Sequence, residues 1–358
     1  MIFYVSNQKR LNTSDKIQEA KIQDCIDYCQ NIDEIGLDTE TEGFDPYTNS
    51  LLSIQLGDFN NQFVIDCKTI DIRILSELLK SKNKLYLLHN AKFDLRFFYH
   101  LDMDVNKVYD TFLAECILTT GYANEERELG LDAVTMKYCG VKLDKSIRGT
   151  IHREGLTDRV IIYGADDVKY LSLIKATQLP QIKQHSLENV LELENSVVKV
   201  FARMEYNGAP LNKDKWLQVT EQVEKNTQEL EKQLDTLIYI EGTKNLPQIN
   251  PLTKYCNIYK QGSLFFDIQE RDCNINWASP AQKLKLLKDL GIKIDSVGDR
   301  ELQKNKTKHA VVPLLINYSK QNKLATSFGR DFLKYVNPKT NRVHGNIWQI
   351  LKSWVFYK

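Results

Sequence analysis

GLDTETEG, residues 36–43, carries the reading of the whole N-terminal half. The run EIGLDTE (34–40) is apolar and ends in acid, which predicts a strand. Residues two apart on a strand point to one face, so Asp38 and Glu40 stand side by side. Two neighbouring carboxylates repel each other unless a cation lies between them, and their oxygens suit Mg²⁺ or Mn²⁺. Two further stretches extend the pattern. In HNAKFDLRFF (89–98), Asp94 falls near the start of a predicted helix, just after the strand KLYLLHN. In YGADDVKYLSLI (163–174), Tyr163 and Asp167 are four apart on a helix and share its face. Four carboxylates on a strand and two helices can close around two metals about 3.5–4 Å apart. Such a pair generates hydroxide, steadies a pentacovalent phosphate and neutralises a leaving 3′ oxygen. Each piece alone has a plainer reading. A DxE pair is often a solvated turn, an acid at a helix start serves the helix dipole, and YxxxD occurs on any helix. Order, spacing and context together make the pattern specific.

The surrounding chain alternates strand and helix signals from Glu34 to about Leu179. LLSIQLGD and QFVIDC continue the strands, and IRILSELLKS and AKFDLRFFYHL have helical spacing. VYDTFLAECILTTG reads as a helix after a short strand. LGLDAVTMKYCG is a helix closed by Gly140, and VIIYGADDVKYLSLIKATQL is a strong helix that Pro180 is expected to end. A three-stranded start followed by βα units predicts a mixed α/β sheet with helices on its faces. We expect one domain over residues 1–183 and a mainly α-helical second part over residues 184–358, with the divide near 181–187. HSLENVLELENSVVKVFARMEYNGAPL (185–211) has helical spacing through Leu187, Val190, Leu191, Leu193, Val197, Val200, Phe201 and Met204, and stops at Gly208. A long charged helix then runs to Gly242. In SPAQKLKLLKDLG, Ser279 caps a helix, Pro280 opens it and Gly291 follows its end. The stretch from Val311 to Val336 is a final helix or pair of helices.

Composition narrows the class. Hydrophobic residues make up 42% and charged residues 27%, as in an ordinary globular chain. No run of 18 apolar residues occurs, so no membrane-spanning helix and no membrane partner are expected. The N-terminus lacks a signal-peptide layout. Seven scattered cysteines, none in a CxxC pair, read as reduced core thiols and suggest a cytoplasmic protein, and the abundance of Lys, Asn and Ile suits an AT-rich genome, with a bacterial or phage-infected cell as the expected setting. The net charge of +1 conceals a split: residues 283–358 hold 16 Lys/Arg and 5 Asp/Glu, leaving the remainder acidic. A basic segment of this kind suits a polyanion; a solvated lysine-rich surface is the plainer explanation.

The three acidic stretches resemble the three exonuclease motifs of the DnaQ-like (DEDD) superfamily, which has a ribonuclease H-like fold. The tyrosine four before the last aspartate matches the DEDDy branch. The resemblance implies 3′→5′ exonuclease activity with two divalent cations. It implies Asp38, Glu40 and Asp167 on one ion, and Asp38 with Asp94, through waters, on the other. Tyr163, helped by Glu40, would orient the attacking water. Asp166 competes with Asp167, but falls about 100° away on the helix and three residues from Tyr163, so Asp167 is preferred. Phe44 matches the apolar wedge against the terminal base, and Thr39 and Asn90 match substrate contacts. His89 reads as a hydrogen-bonding residue at the core edge.

The second half carries a further resemblance. ENSVVKVFARMEYNGAPLNKDKW (194–216), INWASPAQKLKLLKDLGI (275–292) and INYSKQNKLATSFGRDFLKYVNPKTNRVHGNIWQI (316–350) resemble the region after the exonuclease domain in family A (DNA polymerase I-like) DNA polymerases, through the thumb to the palm entry. That implies DNA as partner, both a single-stranded 3′ end and a primer–template duplex. Lys320, Lys323, Arg330 and Lys334 recur along one helical region and are expected on phosphates, with Arg342 near the primer end. After Gln349 the family pattern stops, and no palm aspartates or fingers helix follow in these 358 residues. The expectation is a proofreading-type nuclease without a polymerase site, served by a separate palm and fingers chain docking on Ile347, Trp348, Ile350, Leu351, Trp354 and Phe356. Two other readings stay open: a ribonuclease D-like RNA exonuclease, and a non-catalytic DNA-binding subunit.

Overall fold

A computed structural model describes residues 1–8, 14–123, 126–144, 146–147, 151–244, 250–256 and 273–349, without the side chains of residues 152 and 154. The chain divides into two units: Met1–Gly208 with the described residues from His344, and Ala209–Val343.

The first unit runs β1 (Ile2–Val5), β2 (Ile17–Ala20), α1 (Ile22–Gln30), β3 (Glu34–Thr41), β4 (Leu51–Gly57), β5 (Gln62–Asp66), α2 (Ser76–Leu79), β6 (Leu85–Leu88), α3 (Lys92–His100), β7 (Lys107–Asp110), α4 (Thr111–Leu118), α5 (Leu131–Cys139), α6 (Ile151–Glu154), α7 (Asp158–Lys169), α8 (Leu171–Gln184) and α9 (Glu188–Asn207). Seven strands form one sheet in the order β2-β1-β5-β4-β3-β6-β7. β3, β4 and β5 are antiparallel neighbours, and β6 and β7 extend the sheet in parallel from β3. This is the mixed α/β sheet that the sequence predicts. The two strands before Glu34 were not foreseen; β1 adds to β5 in parallel and β2 to β1.

Strand alternation assigns the faces. Ile35, Leu37, Ile54, Leu56, Tyr86 and Leu88 point to one side and pack with Cys25, Leu75, Leu95 and Phe98. Leu87 and Tyr109 point to the other side, against Ala114, Val134, Val168 and Ile174. Tyr4 and Val64 share that second side with Ile161 and Ala165 of α7. One face therefore holds α1, α2 and α3, and the other holds α4, α5, α7 and α8.

Three local expectations need correction. The helix over 158–184 is interrupted at Tyr170, which closes α7 and opens α8. Pro180 does not end it: the proline lies inside α8 at an exposed position, while Gln178 and Ile182 on the buried side keep the last turns in place. The missing N–H frees a carbonyl, a defect that solvent can satisfy. In α9, the anticipated apolar spacing is not the packed stripe. Leu191, Val198 and Ala202 are buried, whereas Leu193, Val200 and Met204 are exposed. The first unit also extends beyond residue 183. α9 packs on α3, α4 and α8; Tyr99 donates to the Lys199 carbonyl at 3.2 Å, and the Asn195 side chain accepts from the Asp110 N–H at 2.9 Å.

The second unit comprises β8 (Ala209–Pro210), α10 (Lys213–Thr243), α11 (Pro280–Asp289), α12 (Asp299–Lys304), α13 (Val311–Ser327), β9 (Val336–Asn337) and β10 (Arg342–Val343). Ser279 caps α11 through the Gln282 N–H, with Pro280 in its first turn. β10 pairs with both β8 and β9, so the unit's two ends are zipped together. α10 and α13 lie along each other over a core of Leu234, Ile238, Leu287, Leu315, Ile316 and Trp277. The fully buried Trp277 donates from Nε1 to the buried Asp235 Oδ1 at 2.7 Å.

Trp277→Phe removes that donor from a buried carboxylate and leaves a cavity. We expect it to cost about 2–4 kcal/mol. Urea unfolding checks this, and an unchanged midpoint would show the bond to be energetically neutral.

Candidate active site

The site forms where α7 lies directly on the sheet. A Cβ on Gly36 would come 2.7 Å from the Val168 carbonyl oxygen, and one on Gly164 would come 2.7 Å from Gln55 Nε2. At Gly36 the neighbour is backbone, so only glycine permits the approach there; at Gly164 the Gln55 side chain would have to shift. Thr157 starts α7 by accepting the Val160 N–H on its side chain, which fixes the helix phase. Tyr163 and Asp167 then face the strand. Asp38 and Glu40 lie on the α7 side of β3, opposite Gln55 and Ser53 of β4, and the β3–β4 register shifts between Glu40 and Thr41. Irregular pairing of this type re-aims side chains at strand ends.

One carboxylate oxygen each from Asp38, Glu40 and Asp167 lies within 4.8 Å of the others. Oxygens around a divalent ion at about 2.0–2.6 Å are separated by distances within this limit, so the trio fits such an ion. Among the described residues, no second grouping of His, Cys, Asp or Glu comes together in this way. The Tyr163 hydroxyl hydrogen-bonds to Asp167. Burial, then the charges of Asp167, Glu40 and Asp38, push its pKa far above the ordinary phenol value, so it stays a donor. Asp166 is outside the trio. Burial raises its carboxyl pKa, and Lys169 and Lys16 draw it back.

Asp94 stands apart from Asp38, Glu40 and Asp167. It is 2% exposed, near the start of α3, and lies outside the trio. Alternation along β3 turns Thr39 to the α3 side, and its hydroxyl donates to Asp94 Oδ1 at 2.5 Å. Burial pushes the Asp94 carboxyl up to about 7, with Thr39 opposing and the nearby Asp110 adding to the rise.

Asp110 is the residue that the motif reading missed. Its carboxylate accepts the N–H groups of Asn90 (2.9 Å), Ala91 (2.8 Å), Phe112 (2.9 Å) and Leu113 (3.4 Å). It therefore ties the turn before α3 to the start of α4. Burial raises its pKa to about 6 against those four donors. The signal was available: an acid before Thr111 at a strand-to-helix junction is an N-cap pattern.

The remaining predicted residues are spread out. Asn90 is exposed in a left-handed turn, φ 68°. Phe44 is 82% exposed, with its ring edge-on to Phe93 at 6.2 Å. His89 is held by Thr111 Oγ1 (2.9 Å) and the Leu129 carbonyl (3.0 Å), as a structural residue would be. In the second unit, Lys320 and Lys323 are exposed on α13. Arg330 and Lys334 do not continue that helix. Gly329 breaks it, approaching the Ala325 carbonyl so closely that a Cβ would clash, and a 3₁₀ turn follows. Arg330 pairs with Glu221 (3.4 Å) and Glu224 (3.3 Å). Arg342 is half-buried in β10. Ile347 is half-buried and Trp348 exposed; Ile350, Leu351, Trp354 and Phe356 fall outside the described residues.

A family model described as 3′-5′ exonuclease matches residues 17–183, the span that carries all three acidic motifs. Residues 17–183 thus match a 3′-5′ exonuclease domain of the DNA polymerase A type. DNA polymerase I of Aquifex aeolicus is 26% identical over 230 residues, covering 59% of this chain and 38% of the relative. Ribonuclease D of Desulfotalea psychrophila is 28% identical over 167 residues, covering 46% of this chain and 43% of that one. In three dimensions, the POL domain of Pol1 from M. smegmatis, in complex with DNA primer-template and dNTP, matches 87% of this chain and 47% of its own. Its TM-score is 0.57 at 17% identity, a likeness of fold. The chain spans 34–44% of the length of the curated relatives it matches. The matched exonuclease family uses divalent metals, and the acidic trio lies within the matched span. No helix among the described residues is long and apolar enough to cross a membrane.

Asp94 gives the first unit a pH signature. Its folded pKa of about 7 lies above the unfolded carboxylate value of about 4, so its ionisation destabilises the fold. The protein is favoured below pH 4 and loses that advantage as pH rises through 7. In EDTA, Asp94→Asn should melt close to wild type at pH 5 and several degrees higher at pH 8. A constant difference across this range would exclude the buried, raised carboxyl.

Proposed function

We propose that this chain is a metal-dependent 3′→5′ DNA exonuclease of the proofreading, DEDDy type, releasing nucleoside 5′-monophosphates from single-stranded or frayed 3′ ends. The convergence of Asp38, Glu40 and Asp167, with the Tyr163 hydroxyl on Asp167, carries the reading. In this proposal, Asp38, Glu40 and Asp167 hold one divalent ion, and Asp94 with Asp38 serves a second through waters. Bound there, Mg²⁺ or Mn²⁺ would lower the pKa of water and neutralise charge on the scissile phosphate. Tyr163, kept protonated by its acidic surroundings, has Asp167 as acceptor and offers its oxygen to orient water beside Glu40. The exposed Phe44 ring is suited to wedge against the terminal base, and Thr39 and Asn90 to fix the strand end.

The second unit is proposed to grip the primer–template duplex without sequence choice. Lys320, Lys323 and Arg342 would contribute directly. Arg330 would have to exchange Glu221 and Glu224 for phosphates. Those exposed pairs are weak and screened by salt, so the exchange costs little.

The ribonuclease D relative supports a second reading, with an RNA 3′ end in the same metal site. Hydrolysis of matched DNA and RNA oligonucleotides separates the two: we expect faster release from DNA, and preference for RNA would replace the proofreading reading. Asp38→Ala and Asp167→Ala should abolish Mg²⁺-dependent release while the far-ultraviolet circular dichroism is unchanged. Tyr163→Phe should slow it less, by about 10²-fold, because it removes water orientation and leaves the ligands. Activity retained in either alanine variant would favour a non-catalytic DNA-binding role.

A further inference from the structure

The first unit contains a buried carboxylate that neither the motifs nor the metal site uses. Glu205, two residues before the end of α9, is 3% exposed. Its Oε1 accepts Lys92 Nζ at 2.6 Å and the Ile347 N–H at 2.5 Å, and its Oε2 pairs with Arg96 Nη1 at 3.5 Å. Its backbone carbonyl accepts His344 Nδ1 at 2.9 Å. Lys92 Nζ also donates to Asn346 Oδ1 at 2.9 Å and to the Ile347 carbonyl, so all three ammonium protons have acceptors. At the far end, Gln349 Nε2 donates to the Glu194 carbonyl at 3.2 Å and to Glu194 Oε2 at 2.8 Å. Residues 344–349 thus lie along α9 from Glu205 back to Glu194. Eleven helical residues cover about 16 Å, and six extended residues cover about the same length.

Lys92 and Arg96 flank Asp94 by two residues on either side along α3. Each is about 200° around the helix from it, so they grip the back of α3 while Thr39 holds Asp94 at the front. The same strap reaches the loop that carries Phe44. His344 lies 4.9 Å from the Tyr47 ring, Tyr47 donates to the Tyr206 carbonyl at 2.6 Å, and Arg96 donates to the Phe44 carbonyl at 3.5 Å. Lys92 hydrogen-bonds the buried carboxylate at 2.6 Å and Arg96 pairs with it at 3.5 Å, so removing the charge of Glu205 leaves two half-buried cations without that counter-ion.

We propose that Glu205 is a positioning residue for the nuclease, clamping α3 and the strap 344–349 together so that Asp94 and the Phe44 loop are set from behind. The exonuclease unit is then built from two separated chain segments, and Met1–Gly208 lacks one wall of its support. The activity part rests on the nuclease reading above; the clamp itself does not.

The test uses the full chain. Glu205→Gln keeps the size and an acceptor for Ile347 but removes the charge that holds Lys92 and Arg96. Amide hydrogen exchange should quicken together in residues 91–100 and 344–349 and stay unchanged in β4 and β5. On a short single-stranded DNA, kcat should fall roughly tenfold or more and half-saturating Mg²⁺ should rise, with KM for DNA changed less than about twofold. Loss of folded protein alone would lower kcat without moving the Mg²⁺ midpoint. Asn346→Ala, at an exposed position, provides a variant that should fold in any case; it should loosen 344–349 and shift the Mg²⁺ midpoint in the same direction by less. Wild-type exchange in both segments, or an unmoved Mg²⁺ midpoint in the folded variants, overturns the proposal. A wild-type protein that shows no hydrolysis would defeat the nuclease reading, and the exchange data would still decide the clamp.

Discussion

The bare backbone of Gly36 lets α7 lie against β3, and the site depends on that contact. A methyl group there would meet the Val168 carbonyl at 2.7 Å, and the helix would have to lift. Gly164 makes the reciprocal allowance for Gln55 of the neighbouring strand. With the helix seated, Tyr163 and Asp167 come over the side of β3 that carries Asp38 and Glu40, and three acidic oxygens converge. Close packing also buries Asp167 and half-buries Asp38 and Glu40, which lowers the local dielectric. Repulsion among the carboxylates grows, and so does their joint attraction for a cation. A single packing constraint thus sets both the geometry and the electrostatics.

The other face of the same strand is organised differently. Thr39, between the two acids, points away from them and gives its hydroxyl to Asp94. Asp94 is buried, and its charge is disfavoured until something compensates it. Asp110 sits behind, binding four backbone N–H groups, so the turn at Asn90 cannot drift without breaking the start of α4. Glu205 then fixes the far side of α3. The three carboxylates differ in chemistry because their partners differ: Asp94 has a hydroxyl, Asp110 has amides, and Glu205 has cations.

The second unit shows the limits of counting charges along a chain. The basic excess of residues 283–358 is real, yet Arg330 lies against Glu221 and Glu224, more than a hundred residues away in sequence. A local tally therefore overstates the field at that point. Gly329 also divides what reads as one basic helix into a helix and a 3₁₀ turn.

The sheet, the helices on its faces and the cap signals at Ser279, Gly140 and Gly208 are set by short-range periodicity and backbone preference, and these can be read from residues close in sequence. The same holds for the pairing of Asp38 with Glu40 and of Tyr163 with Asp167, since each pair lies within one element. Pro180 inside α8, the buried stripe of α9, the Thr39–Asp94 bond and the clamp on Glu205 could not be read that way. Each depends on which surface a distant segment covers: Gln178 against Thr111, Leu191 against Ile182, and Ile347 against Glu205. Local pattern specifies what an element is and which of its residues share a side. Packing between remote elements selects the side that is buried, and burial decides which charges keep partners and which are pushed toward neutrality.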